Sequence, residues 1–344
     1  MAYPFRTMKI ALRSPTAAGS PAPECVRDHC LRLLECGDLE TKLAPPVDAE
    51  GRPLPDSPSG PAVWIDRPAR DPGLCMRSGS DRLPRPGLLH DPERRIQCLA
   101  RFAHHELQAV ELFAWALVRW PELPPPLRRG LLSALVDEQR HCQLYLDRLE
   151  AHGGRFDTGD HSDYFWRQAP AIAASPAGPR AFLAAIGLTL EQANLDFTLT
   201  YRDGFAEAGD TESAAVCQTV HDDEVAHVAL AALWLGRLAE AERQREAGAG
   251  ESPERTRLRD ERSDLENYLE AVPFPLGPAR AKGRRFEVGP RRRAGLSEAM
   301  IQHVRRARSN PERGLAAAEV EGARGADPEI QSKPAQPIGG KSSA

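Results

Sequence analysis

Four stretches of this chain carry apolar residues at helical spacing, and each of the four apolar stripes is broken near its middle by a glutamate. The first stripe is Ile96, Leu99, Phe102, then Glu106, then Val110, Phe113 and Leu117. The second is Leu127, Leu131, Ala134, then Glu138 and His141, then Tyr145 and Leu149. The third is Ala184, Gly187, Leu188, then Glu191, then Asn194, Leu195 and Thr198. The fourth is Ala214, Cys217, Val220, then Glu224 and His227, then Ala231, Trp234 and Leu238. A carboxylate on a core face without a partner costs several kcal/mol or is driven to protonate. Four in one small core would cost about 10 kcal/mol or more, comparable to the stability of a whole domain. Such a chain has to bring something cationic to its own centre.

The helix boundaries follow from local signals. Asp91-Pro92-Glu93 supplies an N-cap, a proline at the first helical position and an acidic first turn, so helix one is expected from about Pro92 to Trp120, where PELPPP breaks it. Helix two is expected from about Leu127 to Ala151, closed by Gly153-Gly154. A long connection then leads to helix three, from near Arg180 to about Phe205, and Asp210 or Thr211 caps helix four, which continues to about Glu242. No alternating strand pattern is evident in this region.

Spacing brings the glutamates to one level. Glu106 lies 14 residues before Trp120 and Glu138 12 after Pro126; Glu191 lies 16 before Glu207 and Glu224 13 after Thr211. In an antiparallel hairpin, residues equidistant from the turn sit at the same height, because both helices rise about 1.5 Å per residue. The intervals Glu106 to Glu138 (32) and Glu191 to Glu224 (33) nearly match, so the chain reads as two similar hairpins joined by a long crossover. Docked together, they present Glu106, Glu138, His141, Glu191, Glu224 and His227. One Glu and one Glu-x-x-His per hairpin is the ligand set of carboxylate-bridged di-metal bundles, and the i, i+3 spacing puts carboxylate and imidazole on one helix face. Four carboxylates and two imidazoles suit iron, with manganese as the alternative. With 49 acidic residues in 344, roughly one of the ten histidines has an acid three positions before it by accident, so a lone match means little. Two matches, each central on a stripe and each preceded at hairpin spacing by another mid-stripe Glu, do not arise so cheaply.

Secondary candidates surround these six. Asp137 and Asp223, one residue before their Glu, are turned by 100° towards a neighbouring helix and can accept the free N–H of the other hairpin's histidine. His221, three residues before Glu224, can approach the site, whereas His104 points elsewhere; a satisfied interior histidine is the plainer reading of both. Tyr145, one turn beyond His141, is a candidate redox-active side chain but is more economically a core residue, and Trp115, Trp120, Trp166 and Trp234 read as packing residues.

The flanks are poorer in pattern. Residues 1–88 read as an N-terminal arm, with one or two short helices in 23–44 and a Pro-rich linker over 45–88; residues 89–242 form the helical domain; residues 243–344 form a charged, basic extension whose last thirty or so residues read as disordered. A short helix is expected from Ser297 to Arg308, and the RRRAGL cluster at 291–296 reads as a solvated cluster or a strap on the helices before it reads as a nucleic-acid contact. Seven cysteines without any Cys-x-x-Cys exclude a disulfide framework or zinc ribbon, and Cys98, Cys142 and Cys217 are expected to pack as small apolar residues. Net charge is −4, the longest apolar run is far too short to span a bilayer, and no secretion signal is evident, so DNA and membrane partners are not expected and a cytoplasmic location is the default.

The motifs AHHELQAVELF around Glu106, DEQRHCQLYLDRL around Glu138, LEQANLD around Glu191 and HDDEVAHV around Glu224 resemble a bacterial family of ferritin-like proteins with a domain-of-unknown-function label. The segment PFPLGPARAKGRRFEVGPRRRAGL from Pro273 is similar to that family's C-terminal extension, and the resemblance covers roughly residues 85–300. More distantly, Asp-Glu-x-Arg-His at 137–141 resembles the signature of bacterial di-iron monooxygenases, and the ligand set resembles that of tRNA hydroxylases, quinone-ring hydroxylases and rubrerythrins. The resemblance implies an all-α, ferritin-like antiparallel four-helix bundle with extended arms, and carries the six ligands over one for one. The expected function is a di-iron carboxylate protein that uses O2 as co-substrate to oxidise or hydroxylate an organic substrate. The alternatives are a hydroxylase specific for tRNA or a metabolite, and a non-catalytic, rubrerythrin-like iron or oxidative-stress protein. Because no flavin or ferredoxin motif is present, electrons are expected from an external donor protein; a homodimer is compatible with this scheme.

Overall fold

In the computed structural model the chain is all-α with very little strand. The structure describes residues 8–9, 22–57, 60–79, 82–247 and 263–308. The expectation of a disordered C-terminal end lies outside the described residues. Helices α1 (Val26–Glu35) and α2 (Leu39–Leu43) precede two long helices, α3 (Pro92–Arg119) and α4 (Pro125–Ala151). The Asp91 side chain caps α3 by accepting the Glu93 N–H at 2.9 Å. Helix α4 begins two residues earlier than expected, since its prolines occupy a first turn whose N–H groups have no intrahelical partner. It ends where Gly153 takes the left-handed φ of 73° and Gly154 N–H returns to Leu149 O at 2.9 Å.

Arg128 donates to Leu117 O near the turn, and the Cys142 thiol donates to Ala103 O well away from it, the rungs of an antiparallel pair. After the crossover, which contains α5 (Ala169–Ala174), the third long helix is composite. It starts as α6 (Pro179–Phe182), passes through a π-helical segment (Leu183–Glu191), and resumes as α7 (Gln192–Glu207). Helix α8 (Thr211–Ala247) runs back along it, with rungs from Asn194 to Glu224, Thr198 to His221 and Arg202 to Gln218. Uniform helical phase had been expected through this third helix. Two features favour the wider turn: the Thr189 hydroxyl donates to Ala184 O, five residues back, and Gly187 allows close approach to α8. A Cβ on Gly187 would lie 2.3 Å from Ala231 Cβ. π-Helical turns are uncommon and cluster at functional sites, and this one ends on Glu191.

The two antiparallel pairs meet through contacts of α4 with α8. The crossover also holds a two-residue strand, His161–Ser162, paired in parallel with Met76–Arg77, where no strand had been expected. Gln108 on α3 anchors it by accepting the backbone N–H groups of Phe165 and Trp166. The N-terminal segment adds Val26, Cys30, Leu33, Leu34, Val63 and Ile65 to the same core as α3 and α4. On the other side, α9 (Asp264–Ala271), α10 (Val288–Arg293) and α11 (Glu298–Arg306) follow, the last capped by Ser297. Arg291 is buried and grips Asp196 of α7 with two bonds of 2.7 and 2.8 Å, while Arg292 and Arg293 are exposed. Cys98, Cys142 and Cys217 are buried free thiols. Among the described residues no helix is long and apolar enough to cross a membrane.

Candidate metal centre

All six mid-stripe side chains point to one buried place. Glu138, Glu191, Glu224 and His227 offer ligand atoms within 4.8 Å of one another, and so do Glu106, His141 and Glu224. Glu138 reaches both groups, with its Oε1 3.1 Å from His227 Nδ1 and its Oε2 3.4 Å from His141 Nδ1. Glu138 and Glu224 are thus shared, whereas Glu106 with His141, and Glu191 with His227, each serve one half. His227 Nδ1 lies 3.6 Å from Glu191 and 3.5 Å from Glu224.

The outer nitrogens of both imidazoles are occupied. His141 Nε2 donates to Asp223 Oδ2 at 3.0 Å and His227 Nε2 to Asp137 Oδ2 at 3.4 Å, so each histidine is held by an aspartate from the opposite hairpin. That leaves both Nδ1 atoms facing inward, an orientation a metal ligand requires. Arg140, to which the sequence had suggested no role, donates to Asp223 at 2.6 Å and to Asp137 at 3.1 Å, clamping both aspartates with one guanidinium. Its position between Glu138 and His141 and three residues from Asp137 was the available signal.

The electrostatics are those of an over-acidic buried site. Burial and then the neighbouring Glu138 carboxylate hold Glu106 well above the ordinary carboxylate range; burial and then Glu191 do the same to Glu224. Burial also pushes Glu138 upward, but the imidazoles of His141 and His227 outweigh it and hold this carboxyl low. Both histidines are raised, because the surrounding carboxylates overcome the desolvation that favours the neutral ring. No Lys or Arg pairs with the six residues among the described contacts.

The residues fit a metal. Both oxygens of Glu138, one each of Glu191 and Glu224, and Nδ1 of both histidines are buried without a hydrogen bond of acceptable geometry. Unsatisfied buried polar atoms are rare, and six around one point make a donor set suited to a common ligand. Oxygen-rich ligation with two imidazoles suits hard or intermediate divalent ions.

The remaining candidates sit farther out. His221 is buried against Thr198, at 3.2 Å from its hydroxyl, and burial lowers its pKa. Tyr145 is fully buried, its hydroxyl 3.8 Å from Cys217 Sγ, with burial pushing its pKa well up. His104 stacks on His161 at 4.4 Å. A cavity of about 490 Å³ opens beside the cluster, with Glu106, Tyr145, Asn194 and Thr198 in its wall. Asn194 also donates to Glu224 Oε1 at 2.8 Å.

No curated protein and no solved structure matches the chain. Residues 40–302 match the family described as "Protein of unknown function (DUF455)", and the chain belongs to that family.

Proposed function

We propose that this chain is a ferritin-like di-iron carboxylate protein that activates O2 to oxidise or hydroxylate a small organic substrate, drawing electrons from a separate donor protein. The observation that carries this reading is the set of six inward-facing donor atoms without partners, next to a cavity large enough for a substrate. Two iron ions, when bound, supply the redox chemistry with O2. In the hydroxylation the proposal entails, one oxygen atom enters the substrate and the other leaves as water, with two electrons from the donor and two protons from solvent. Asp137 and Asp223 fix the ring orientation of His227 and His141, and Arg140 ties the two aspartates together. Asn194 holds one oxygen of Glu224, leaving the other directed inward. Phe102, Tyr145, Phe165 and Tyr201 give the cavity beside the cluster a largely apolar wall. A site serving iron storage would need no such organic-sized chamber.

The test is metal content followed by turnover. Protein reconstituted anaerobically with ferrous iron is expected to hold two irons per chain, and Glu138→Ala and His227→Ala are expected to lose most of it. Full metal content in either variant would sink the reading. Oxygen uptake that stays stoichiometric with iron for every small molecule offered would leave a binding protein rather than an oxygenase.

A further inference from the structure

The cavity beside the cluster has a polarity that says what enters it. Its buried end holds Glu106 and Thr198, and Asn194 lies beside them. Phe102, Tyr201, Leu190 and Phe197 form apolar walls along the way. Arg82 and Arg280 also line it, and both are exposed. Arg280 is held in place from behind by a hydrogen bond to the Tyr164 hydroxyl, its guanidinium 5.7 Å from that ring. Among the described lining residues Arg82 and Arg280 are the only Lys or Arg, so the buried end offers no guanidinium or ammonium group.

We infer that the cavity takes a small organic acid with an aromatic or other flat apolar body, its acid group held between Arg82 and Arg280 and its far end presented to Glu106, Asn194 and Thr198. The substrate class rests on the reading of the cluster as the reacting centre; the binding assignment itself does not. A volume of about 490 Å³ lies in the range of pockets that enclose drug-sized ligands and is too small for a macromolecule. Orientation follows from charge. An acid group carried to the buried end would give up its hydration without meeting a Lys or Arg among the described lining residues. At the exposed Arg82 and Arg280 it meets two guanidinium groups suited to forked hydrogen bonding with an anionic head. Aromatic walls then favour a flat body through stacked and edge-on contacts. With its acid group at the exposed arginines, the ligand turns its remote end to the buried cluster.

A matched pair of fluorescent probes tests this on the full-length protein. 1-Anilinonaphthalene-8-sulfonate and N-phenyl-1-naphthylamine share one ring system and differ in the anionic group. The sulfonate is expected to bind at one site per chain about tenfold more tightly than the neutral probe, the scale of one charged hydrogen bond. Arg82→Gln and Arg280→Gln are each expected to weaken the sulfonate by about tenfold and leave the neutral probe unchanged. Ala193→Trp, which fills the cavity, is expected to exclude both. Equal affinity for the two probes, or Arg variants that bind the sulfonate as wild type does, would overturn the inference. So would displacement of the sulfonate by a transfer RNA but not by naphthalene-2-carboxylate. Protein that takes up iron yet does not discriminate between the probes counts against the cavity assignment alone. Protein that discriminates yet takes up no iron supports that assignment and counts against the di-iron reading alone.

Discussion

Glu106 and Glu111 lie five residues apart on α3, both are buried, and the chain treats them in opposite ways. Glu111 is enclosed by cations: Lys42 Nζ is 2.7 Å from one oxygen, and Arg70 donates to both, at 2.7 and 2.8 Å. Lys42 in turn donates to Leu33 O at 2.8 Å, so the pairing pins the N-terminal segment to the long helices. Glu106 has no Lys or Arg partner among the described residues and stands in a cluster with three more carboxylates and two imidazoles. Where a buried carboxylate is structural, this protein supplies the counter-charge from its own side chains, as it does again for Asp196 with Arg291. Where it withholds the counter-charge, the donor set is left open, the feature on which the proposed metal centre rests. His29 shows a third treatment, a buried ring that burial keeps neutral, with its pKa lowered to about 4.

The contrast breaks first at Glu111. Glu111→Gln leaves Lys42 and Arg70 buried without their anion and is expected to cost about 3–5 kcal/mol in denaturant unfolding, with or without metal. Glu106→Gln is expected to do the reverse in metal-free protein, raising stability by about 1 kcal/mol as the cost of holding this carboxyl in a buried, acidic setting is removed. Similar losses from both substitutions would refute the distinction between paired and unpaired carboxylates.

Next in size is the acid response of His29. The unfolded chain takes up this proton near 6.5, whereas the folded chain resists until about 4, so between those values the unfolded state binds more protons. Stability is therefore complete above pH 6.5 and falls as pH drops towards 4, by up to about 3 kcal/mol from this residue. The slope of unfolding free energy against pH across that window should be shallower in His29→Leu than in wild type; identical slopes would remove His29 from the account.

The smallest effects belong to the supports of the centre. Asp223→Asn is expected to lower iron affinity about 10–100-fold by freeing the His141 ring, with little change in metal-free stability. Arg140→Gln, half-exposed and one step farther out, is expected to lower it by about fivefold, the scale of a surface ion pair. Competitive chelator titration separates the two, and an Arg140 effect exceeding that of Asp223 would reverse the order of support.

Much of this architecture is legible without coordinates because its signals are local. Asp91-Pro92, Gly153 and the stripes on α3, α4 and α8 depend on neighbours within a turn or two. Equal distance from a hairpin turn is enough to level Glu106 with Glu138 and Glu191 with Glu224. The π-segment was not legible, since a uniform 3.6-residue period carries no mark of the wider turn at Gly187 and Thr189. The two-residue pairing of Met76–Arg77 with His161–Ser162 is too short to show alternation. Lys42, Arg70 and Glu111 read as scattered charges because their partners are 41 or more residues apart.

By itself, the sequence determined an all-helical chain whose apolar faces each hold a glutamate, because helical periodicity and the cost of a bare buried charge act within a single segment. Only the tertiary structure decided which buried charges are answered from within and which are left open. It decided too that one chamber is lined by Glu106 of the open set and by Arg82 and Arg280. Both depend on side chains from distant segments arriving at one point, and a distance of a few ångströms between them is a property of packing, with no counterpart in the order of residues.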